Sequence, residues 1–171
     1  MRTAIEQYAT ALDLKPNRPE VHNNLGNALY RVGKIDEAVE RLRRAITLKP
    51  DYAKAHSNFG LALARQGKFD EALSECRQGI KLDPGDADSH CYFGSVLGMG
   101  GRLDESIREF QEAIRLDPGY GEAYNNLAAS YFLKGDYAQA WQQIHLCRRH
   151  NCTPPSRLME ALSKRMPEPP E

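Results

Sequence analysis

The sequence of 171 residues has no excess of either charge, few aromatic residues and no long apolar run. Aromatic residues at 8% and hydrophobic residues at 41% are lean for a compact globule with one central core. The chain carries 23 basic and 23 acidic side chains, whereas proteins that bind nucleic acid through bulk charge have a strong basic excess. No segment approaches the roughly 18 consecutive apolar residues of a membrane-spanning helix. We therefore expect neither a nucleic acid partner nor a membrane span.

Cysteine is also scarce, and no leader is visible at the start of the sequence. Four cysteines are too few for a disulfide scaffold, so we expect unpaired thiols. The first ten residues lack the apolar core of a secretory signal peptide. Both observations favour the cytoplasm as the default location. A truncated start would hide a leader, and that alternative stays open.

What the sequence does have is a period of 34 residues. Proline, glycine and other small residues return at this spacing in independent columns, which chance does not produce. Self-similarity at a fixed period of this size is the signature of a repeat architecture. The columns are Pro16, Pro50, Pro84 and Pro118; Gly33, Gly67, Gly101 and Gly135; and Gly26, Gly60, Gly94 and Ala128.

Each period predicts two helices, as residues 19–52 illustrate. Leu25 and Leu29 belong to a set of apolar residues spaced by three and four, which defines one face of a helix. Gly33 is expected to end that helix, since glycine adopts the left-handed conformation that closes helices. Asp36 is then expected to be the N-cap of a second helix, which the proline column ends.

Stacking is the way in which such helix pairs form a core, because a single pair cannot bury its own apolar face. Small residues beside large ones let neighbouring helix backbones approach closely. The sequence therefore predicts an all-α fold, an α-solenoid that forms one domain over residues 1–166. The expected segments are a half repeat at 1–18, full repeats at 19–52, 53–86, 87–120 and 121–154, a capping helix at 155–166 and a flexible tail at 167–171.

Residues 19–52, PEVHNNLGNALYRVGKIDEAVERLRRAITLKPDY, resemble a tetratricopeptide repeat almost position for position. The next three periods follow the same pattern, and residues 1–18 resemble the second half of a repeat. The resemblance implies a right-handed superhelix whose concave face is lined by the first helix of each repeat. The family consists of binding and scaffolding modules rather than catalysts, so we expect no enzyme activity, no cofactor and no metal. In the half repeat the matching residues are Ala4, Tyr8, Ala11 and Pro16.

The two ends of the array depart from the repeat pattern. In residues 155–166, Leu158, Met159 and Leu162 share one face of a predicted helix, which would cover the last repeat as terminal repeats require. At the start, the first helix has no preceding partner. Either the chain is a piece of a longer array, or residues 1–14 pair with another molecule in self-association.

The resemblance also predicts which side chains line the concave groove. Its asparagine columns are similar to the asparagine ladder in the repeat domain of O-linked N-acetylglucosamine transferases, where side-chain amides bind the backbone of an extended peptide. An amide carries both a donor and an acceptor, which suits this task. Tyr92 interrupts the ladder, and the alternative is that the asparagines only solvate the concave face. The candidate binding residues are Asn23, Asn24, Asn27, Tyr30, Asn58, Leu61, Tyr92, Met99, Asn125, Asn126 and Phe132.

Another binding mode of the family is not expected. The carboxylate clamp that holds the C-terminus of chaperones uses a lysine and an arginine in its third repeat. Asp88 and Tyr92 stand at those positions here, so an anionic terminus would meet an aspartate where it needs a cation. The groove predicts instead a weakly charged extended segment or an amphipathic helix, with apolar anchors toward the C-terminal repeats.

Residue types that bind metals occur near the end of the array, but their spacing does not match known zinc patterns. They are His145, Cys147, His150 and Cys152. Cys147 falls on a core column, so we expect a buried small thiol there. A separate column of period 34, formed by His22, His56 and His90, is expected to fill half-buried space.

Two functional interpretations therefore remain open from the sequence. The first is a non-catalytic protein–protein interaction or scaffold module that binds a peptide or helix in its groove. The second is a regulatory or substrate-recruiting fragment of a larger enzyme, such as a glycosyltransferase. The incomplete first repeat favours the second interpretation, and the capping helix favours the first.

Overall fold

The computed structural model describes residues 2–169, and over this range the chain forms ten α-helices and no strand. Residues 1, 170 and 171, which the expected half repeat and tail included, lie outside the described part. The helices are α1 (Arg2–Leu14), α2 (Pro19–Arg31), α3 (Ile35–Leu48), α4 (Ala53–Arg65), α5 (Phe69–Leu82), α6 (Ala87–Met99), α7 (Leu103–Leu116), α8 (Gly121–Lys134), α9 (Tyr137–Arg149) and α10 (Ser156–Ser163).

The helices stack as a row of consecutive pairs. α2 packs on α3, α4 on α5, α6 on α7 and α8 on α9. The first helices also contact one another along the row, from α2 to α4, α6 and α8, and the second helix of each pair contacts the first helix of the next. This arrangement confirms the all-α solenoid that the sequence predicts. Within residues 2–169, none of the helices combines the length and the apolarity needed to cross a bilayer.

Four glycines make the turns inside the pairs. Gly33, Gly67, Gly101 and Gly135 have φ angles of 82°, 80°, 76° and 84°, a region that side chains with a Cβ atom disfavour. After the first of them, the Lys34 amide donates to the carbonyl of Leu29 at 3.0 Å, which closes the helix end. The expectation that Gly33 ends the first helix is confirmed.

The expectation that Asp36 is an N-cap is wrong. α3 begins at Ile35, so Lys34 is the N-cap residue and Asp36 lies in the first turn. The reason is that the glycine turn leads directly into the next helix, so the residue after the glycine is the N-cap and the helix begins two residues after the glycine. In the last pair the cap position holds Asp136, whose Oδ1 accepts a hydrogen bond from the Gln139 amide at 3.1 Å.

The aspartates of the first turn link neighbouring repeats instead. Gln66 Nε2 at the end of α4 donates to Asp36 Oδ1 at 2.6 Å. Two repeats later, Lys134 Nζ at the end of α8 lies 2.6 Å from Asp104 Oδ1. Because these side chains are at least partly exposed, each contact fixes the alignment of neighbouring repeats more than it stabilises the folded chain.

The column of small residues allows close contact between paired helices. A Cβ atom added to Gly26 would lie 2.6 Å from Leu42 Cγ, and one added to Gly94 would lie 2.8 Å from the Phe110 ring. The buried side chains form three clusters along the row. The first spans α1 to α6, the second α6 to α8 and the third α8 to α10.

α10 closes the described end of the stack. Leu162 is fully buried against Trp141, and the Trp141 Nε1–H donates to the carbonyl of Met166 at 3.1 Å. In the described part of the chain after α10, Glu168 forms an ion pair with Arg148 and lies 3.1 Å from His145 Nε2, which places residue 168 against α9. The flexible tail at 167–171 stays a prediction.

The expectation of unpaired thiols is wrong for two of the four cysteines. Cys147 and Cys152 form a disulfide, with Cα atoms 5.0 Å apart. The physical reason is the end of α9, where Asn151 has φ 58° and turns the chain back, and the Cys152 amide donates to the Cys147 carbonyl at 2.9 Å. The thiols of Cys76 and Cys91 are free and buried. The thiol argument for a cytoplasmic location therefore does not apply to the bonded pair.

Candidate peptide-binding groove

A concave cavity of about 300 Å³ runs across the first helices of the four pairs. We call it the groove cavity. Its walls come from α2, α4, α6 and α8, and its base includes residues of α7. The lining residues are Tyr30, Leu61, Ser95, Gly98, Met99, Ser106, Phe110, Glu122, Asn126, Ala129, Ser130 and Leu133.

Four of the predicted binding residues meet in the groove cavity. They are Tyr30, Leu61, Met99 and Asn126, one from each full repeat. Their convergence follows from the stacking, because the inner faces of successive first helices lie side by side, although the four residues occupy different positions of the repeat. An apolar surface with a few polar groups is the usual character of a ligand-binding cavity.

Two other predicted residues line a separate cavity of about 290 Å³ between α1 and α2. Asn24 is exposed and Asn27 is half-buried there, beside Tyr8 and Arg31. Their amides lie at the open end of the stack, so they are available to a ligand but are separate from the groove cavity.

The asparagines of the first two repeats bind one another. Asn58 Nδ2 donates to Asn23 Oδ1 at 2.9 Å, and Asn23 Nδ2 lies 3.3 Å from Asn24 Oδ1. Asn23 is buried, with an exposed fraction of 5%. Both polar atoms of the Asn23 side chain therefore form hydrogen bonds within the chain, and the residue lies in the interior of the structure.

The asparagines of the last repeat also make internal bonds. Asn126 Nδ2 lies 3.7 Å from Cys91 Sγ, which repeats the 35-residue offset of the pair formed by Asn58 and Asn23. Asn125 Nδ2 donates to the carbonyl of Thr153 at 3.3 Å. Cys91 is fully buried and its burial raises the pKa of the thiol to about 12, so it is not a thiolate at neutral pH. The asparagine columns thus connect repeats as well as facing the groove.

The two remaining aromatic candidates have different surroundings. Tyr92 is half-buried, and its burial raises the pKa of its phenol, with Asp88 and Glu122 acting in the same direction. It is therefore a neutral donor. Phe132 packs on Tyr137 with ring centroids 5.7 Å apart, in the third core cluster rather than in the groove cavity. Its neighbour Leu133, 65% exposed, lines the cavity.

Charges of both signs surround the groove cavity. The guanidinium of Arg65 lies 5.8 Å from the centre of the Tyr30 ring, within reach of a cation–π contact. Burial raises the pKa of Tyr30, and Arg65 opposes that shift. Glu122 on α8 contributes a carboxylate to the lining. Neither sign dominates, which favours a weakly charged ligand.

Sequence reasoning confined to the first helices missed the base of the groove cavity. Ser106 and Phe110 belong to α7, a second helix, yet both line the cavity. The signal was present in Gly94 and Gly98, which lie one turn apart on α6. A Cβ atom added to them would meet Phe110 and Ser106 respectively. The absence of side chains at these positions therefore lets α7 pack close behind α6, and its two residues border the cavity although both are buried.

The histidine column has a structural role, as expected. Each ring lies behind a proline turn: the Nε2 atoms of His22, His56 and His90 lie 2.8, 2.9 and 3.2 Å from the carbonyl oxygens of the residues six positions earlier. In the fourth repeat the Tyr124 hydroxyl donates to the Pro118 carbonyl at 3.2 Å in the same way. All four side chains are buried.

The metal-binding residue types near the end of α9 are not brought together. His145 faces Glu168, Cys147 is bonded to Cys152, and the ring of His150 stacks on Tyr124 with centroids 5.3 Å apart. Within residues 2–169 the structure shows no group of three or more histidine, cysteine, aspartate or glutamate side chains that would hold a metal ion.

Comparisons with known proteins agree with this geometry. Family models described as "TPR repeat" match residues 2–33, 26–67 and 99–135, and one described as "Tetratricopeptide repeat" matches residues 53–86. No curated protein shows significant sequence similarity to the chain.

Solved structures with the same fold are distant in sequence. TTC0263, a thermophilic TPR protein from Thermus thermophilus, has a TM-score of 0.81 and 21% identity over 95% of this chain and 88% of its own. PilF of Pseudomonas aeruginosa has a TM-score of 0.75 and 22% identity over 86% of this chain and 67% of its own. MamA of Desulfovibrio magneticus RS-1 has a TM-score of 0.68 and 21% identity over 88% and 85%. At such identities the likeness concerns the fold alone.

The fold is thus the right-handed solenoid of these repeats, and tetratricopeptide repeats are typically non-catalytic modules for protein interaction. The family models together match well over half of the residues. The chain belongs to the tetratricopeptide repeat family.

Proposed function

We propose that the chain is a non-catalytic interaction module that binds an extended peptide or an amphipathic helix of a partner protein in the groove cavity. The observation that carries this proposal is the convergence of Tyr30, Leu61, Met99 and Asn126 in one concavity, although Tyr30 and Asn126 are far apart in the sequence. A ligand in that position would contact every full repeat at once.

The composition of the cavity supports a ligand with an apolar anchor. Leu61, Met99 and Leu133 supply exposed or half-buried apolar surface, and the Phe110 ring lies at the base. A volume of about 300 Å³ accommodates one or two large side chains of a peptide. Apolar anchors that fill such pockets dominate the affinity of many interfaces.

The polar groups around the cavity would orient that ligand. Asn126 and Ser95 lie in the wall, and the carboxylate of Glu122 lies opposite the cation carried by Arg65 near Tyr30. Polar and charged groups at the rim set register and specificity more than affinity. A segment with one apolar anchor and little net charge fits this arrangement.

A displayed library of random peptides, selected on the full chain, tests the proposal. The selected peptides are then titrated against Leu61→Lys, which places a charge on the apolar wall. We expect the dissociation constant to rise by at least about tenfold, because an apolar anchor would have to be buried against an ammonium group.

Leu82→Lys is the matched control. Leu82 lies at the end of α5, is 37% exposed and does not line the groove cavity. Its replacement introduces the same charge and should leave the affinity unchanged. Equal effects of the two substitutions, or peptides whose binding neither of them weakens, would contradict the proposed site. Far-ultraviolet circular dichroism would check that both variants keep their helices.

A further inference from the structure

The histidine column is fully hydrogen-bonded in the second and third repeats. The ring of His56 has two acceptors, the carbonyl of Pro50 at 2.9 Å from Nε2 and the carboxylate of Glu75 at 2.7 Å from Nδ1. His90 is held in the same way by Pro84 and by Glu109, at 3.2 and 2.8 Å. In both repeats the carboxylate comes from the residue 19 positions after the histidine.

The first repeat keeps the ring and lacks the carboxylate. His22 Nε2 lies 2.8 Å from the carbonyl of Pro16, as in the other repeats. The residue 19 positions later is Arg41. Within the described residues His22 Nδ1 has no hydrogen-bond partner, although the residue is only 4% exposed. A polar atom buried without a partner is unusual in a folded protein.

A positively charged cavity borders the His22 residue, although Nδ1 itself is closed to solvent. A cavity of about 390 Å³ lies between the proline turn and α3, and we call it the arginine cavity. Three guanidinium groups and one carboxylate, all on α3, are the charged groups of its lining. The residues that line it are Pro16, His22, Glu40, Arg41, Arg43, Arg44 and Thr47.

We propose that the arginine cavity binds a carboxylate, which takes the place that the side chains of Glu75 and Glu109 occupy in the next two repeats. The ligand is either a small organic acid or an acidic side chain of a peptide. The geometry of the neighbouring repeats specifies the chemistry, because there a carboxylate oxygen lies against the same ring nitrogen.

Binding of this kind couples to a proton. A carboxylate oxygen accepts hydrogen bonds, so His22 Nδ1 must carry a hydrogen in the complex. Nε2 already donates to the Pro16 carbonyl, and the bound ring is therefore an imidazolium.

The arginines supply the remaining charge. The guanidinium of Arg41 can meet a carboxylate with two parallel N–H donors. Because His22 Nδ1 is closed to solvent before binding, side chains that line the cavity must move to admit the carboxylate. Arg44 also donates to Asn17 Oδ1 at 2.9 Å, and the guanidinium of Arg43 lies 5.7 Å from the centre of the Phe59 ring. Glu40 repels an anion, and the three cations outweigh it.

Titration of the full chain with two probes tests the proposal. Sodium acetate is the free acid, and the peptide acetyl-Gly-Glu-Gly-amide carries the same group on a side chain, with the Gln peptide as its uncharged control. We expect saturable shifts of backbone amide signals in α2 and α3, and calorimetry in buffers of different ionisation enthalpy should show proton uptake. Similar affinities for acetate and the Glu peptide would identify the ligand as a free acid. Binding of the Glu peptide at least tenfold tighter than that of acetate would identify the ligand as an acidic segment of a protein.

His22→Tyr separates the ring nitrogen from the arginines. Tyrosine occupies this column in the fourth repeat, where its hydroxyl keeps the bond to the proline turn. We expect at least a tenfold loss of carboxylate affinity and no proton uptake. Unchanged affinity, or inorganic phosphate binding as tightly as acetate to both proteins, would reduce the cavity to an unspecific cluster of cations and overturn the proposal.

Arg41→Glu provides a second test that does not remove the ring. It supplies the carboxylate from the chain itself, as the next two repeats do, so it should abolish binding of both probes and raise the melting temperature. Arg108→Glu, the same change at an exposed position of α7, should leave binding intact. Loss of binding in Arg108→Glu, or retention in Arg41→Glu, would contradict the site.

Discussion

At the scale of single residues, His56 and His90 each connect the two helices of their pair through a contact with a glutamate carboxylate. Each ring has a carbonyl oxygen at one nitrogen and a glutamate oxygen at the other. Both neighbours are acceptors, so the ring is best satisfied with hydrogens on both nitrogens. The hydrogen bond to Glu75 raises the pKa of His56 and the one to Glu109 raises that of His90, although burial opposes the shift in both.

This shift predicts a dependence of stability on pH. Because the pKa of each ring is higher in the folded chain than the usual value near 6.5, the stabilisation is complete below that value. It is lost as the pH rises through the raised pKa of the folded state. We expect the free energy of unfolding, measured by urea denaturation, to fall as the pH rises from about 6.5 through the raised pKa values of the two folded-state rings.

Removing the two carboxylates tests whether the histidine–glutamate pairs cause this pH dependence of stability. The double variant Glu75→Gln with Glu109→Gln should be less stable at the acidic end and show a flatter pH profile. Glu71→Gln changes an exposed carboxylate on the same helix as Glu75 and serves as the control. An unaltered slope in the double variant would mean that other groups cause the dependence.

The asparagines divide into buried residues that are hydrogen-bonded within the chain and exposed residues, which predicts different mutant phenotypes. Asn23→Ala removes the acceptor of Asn58 and should destabilise the chain by about 1–3 kcal/mol. Asn24→Ala, at an exposed side chain, should leave the melting temperature nearly unchanged, and we propose that it weakens the binding of a peptide long enough to extend from the groove cavity to the cavity between α1 and α2. Thermal unfolding and peptide titration of both variants measure this difference, and a reversed pattern would contradict the assignment.

At the scale of helices, the position after each turn glycine is the N-cap of the following helix. Asp136 fills it with a capping side chain, whereas Lys68 at the start of α5 makes no such bond. Lys68→Asp should therefore stabilise the chain by about 0.5–1 kcal/mol, since the new carboxylate can accept from a free amide of the first turn.

The opposite end of the same helix provides the control for this prediction. Lys81 lies in the last turn of α5, where a negative charge meets the negative end of the helix dipole. Lys81→Asp should lower the melting temperature while Lys68→Asp raises it. Equal shifts of the two variants would show that net charge rather than capping is responsible.

The helices and their turns were predictable because each repeating column has a local task. Gly33 requires a left-handed conformation, and Gly26 requires an absent side chain. The disulfide between Cys147 and Cys152 was not predictable, since it depends on the left-handed turn at Asn151 that follows the last repeat.

The position of a side chain relative to the groove cavity could be predicted where the side chain belongs to one repeating column, but not where two helices meet. Tyr30 and Leu61 follow from their repeat positions. Phe110 borders the cavity because glycines on α6 let α7 pack closely behind it, and the Asn23 side chain is hydrogen-bonded to Asn58 of the next repeat. Both depend on contacts between elements, which a single column does not display.

At the scale of the whole molecule, α1 is the exposed end of the described stack. It packs chiefly on α2, and Leu14 at its end is 79% exposed. We propose self-association through residues 2–14; residue 1, which belonged to the expected surface, lies outside the described part. Sedimentation velocity over a range of concentrations should show a reversible oligomer.

Leu14→Glu should raise the dissociation constant of that oligomer by roughly tenfold, as expected for the loss of one buried leucine at an interface. Leu82→Glu, at the end of α5, is the control and should have no effect. A species that stays monomeric at high concentration in light scattering would refute self-association.

The division of the core into three clusters has a consequence for how the molecule comes apart. Amides of α9 and α10 can exchange with solvent through partial opening that leaves α2 to α5 intact, because each cluster contacts only its neighbours. A peptide lying across the groove cavity touches side chains that rest on different clusters, such as Leu61 and Phe110. A peptide bound in the groove cavity would then connect the helices of different clusters and make their unfolding a single cooperative event.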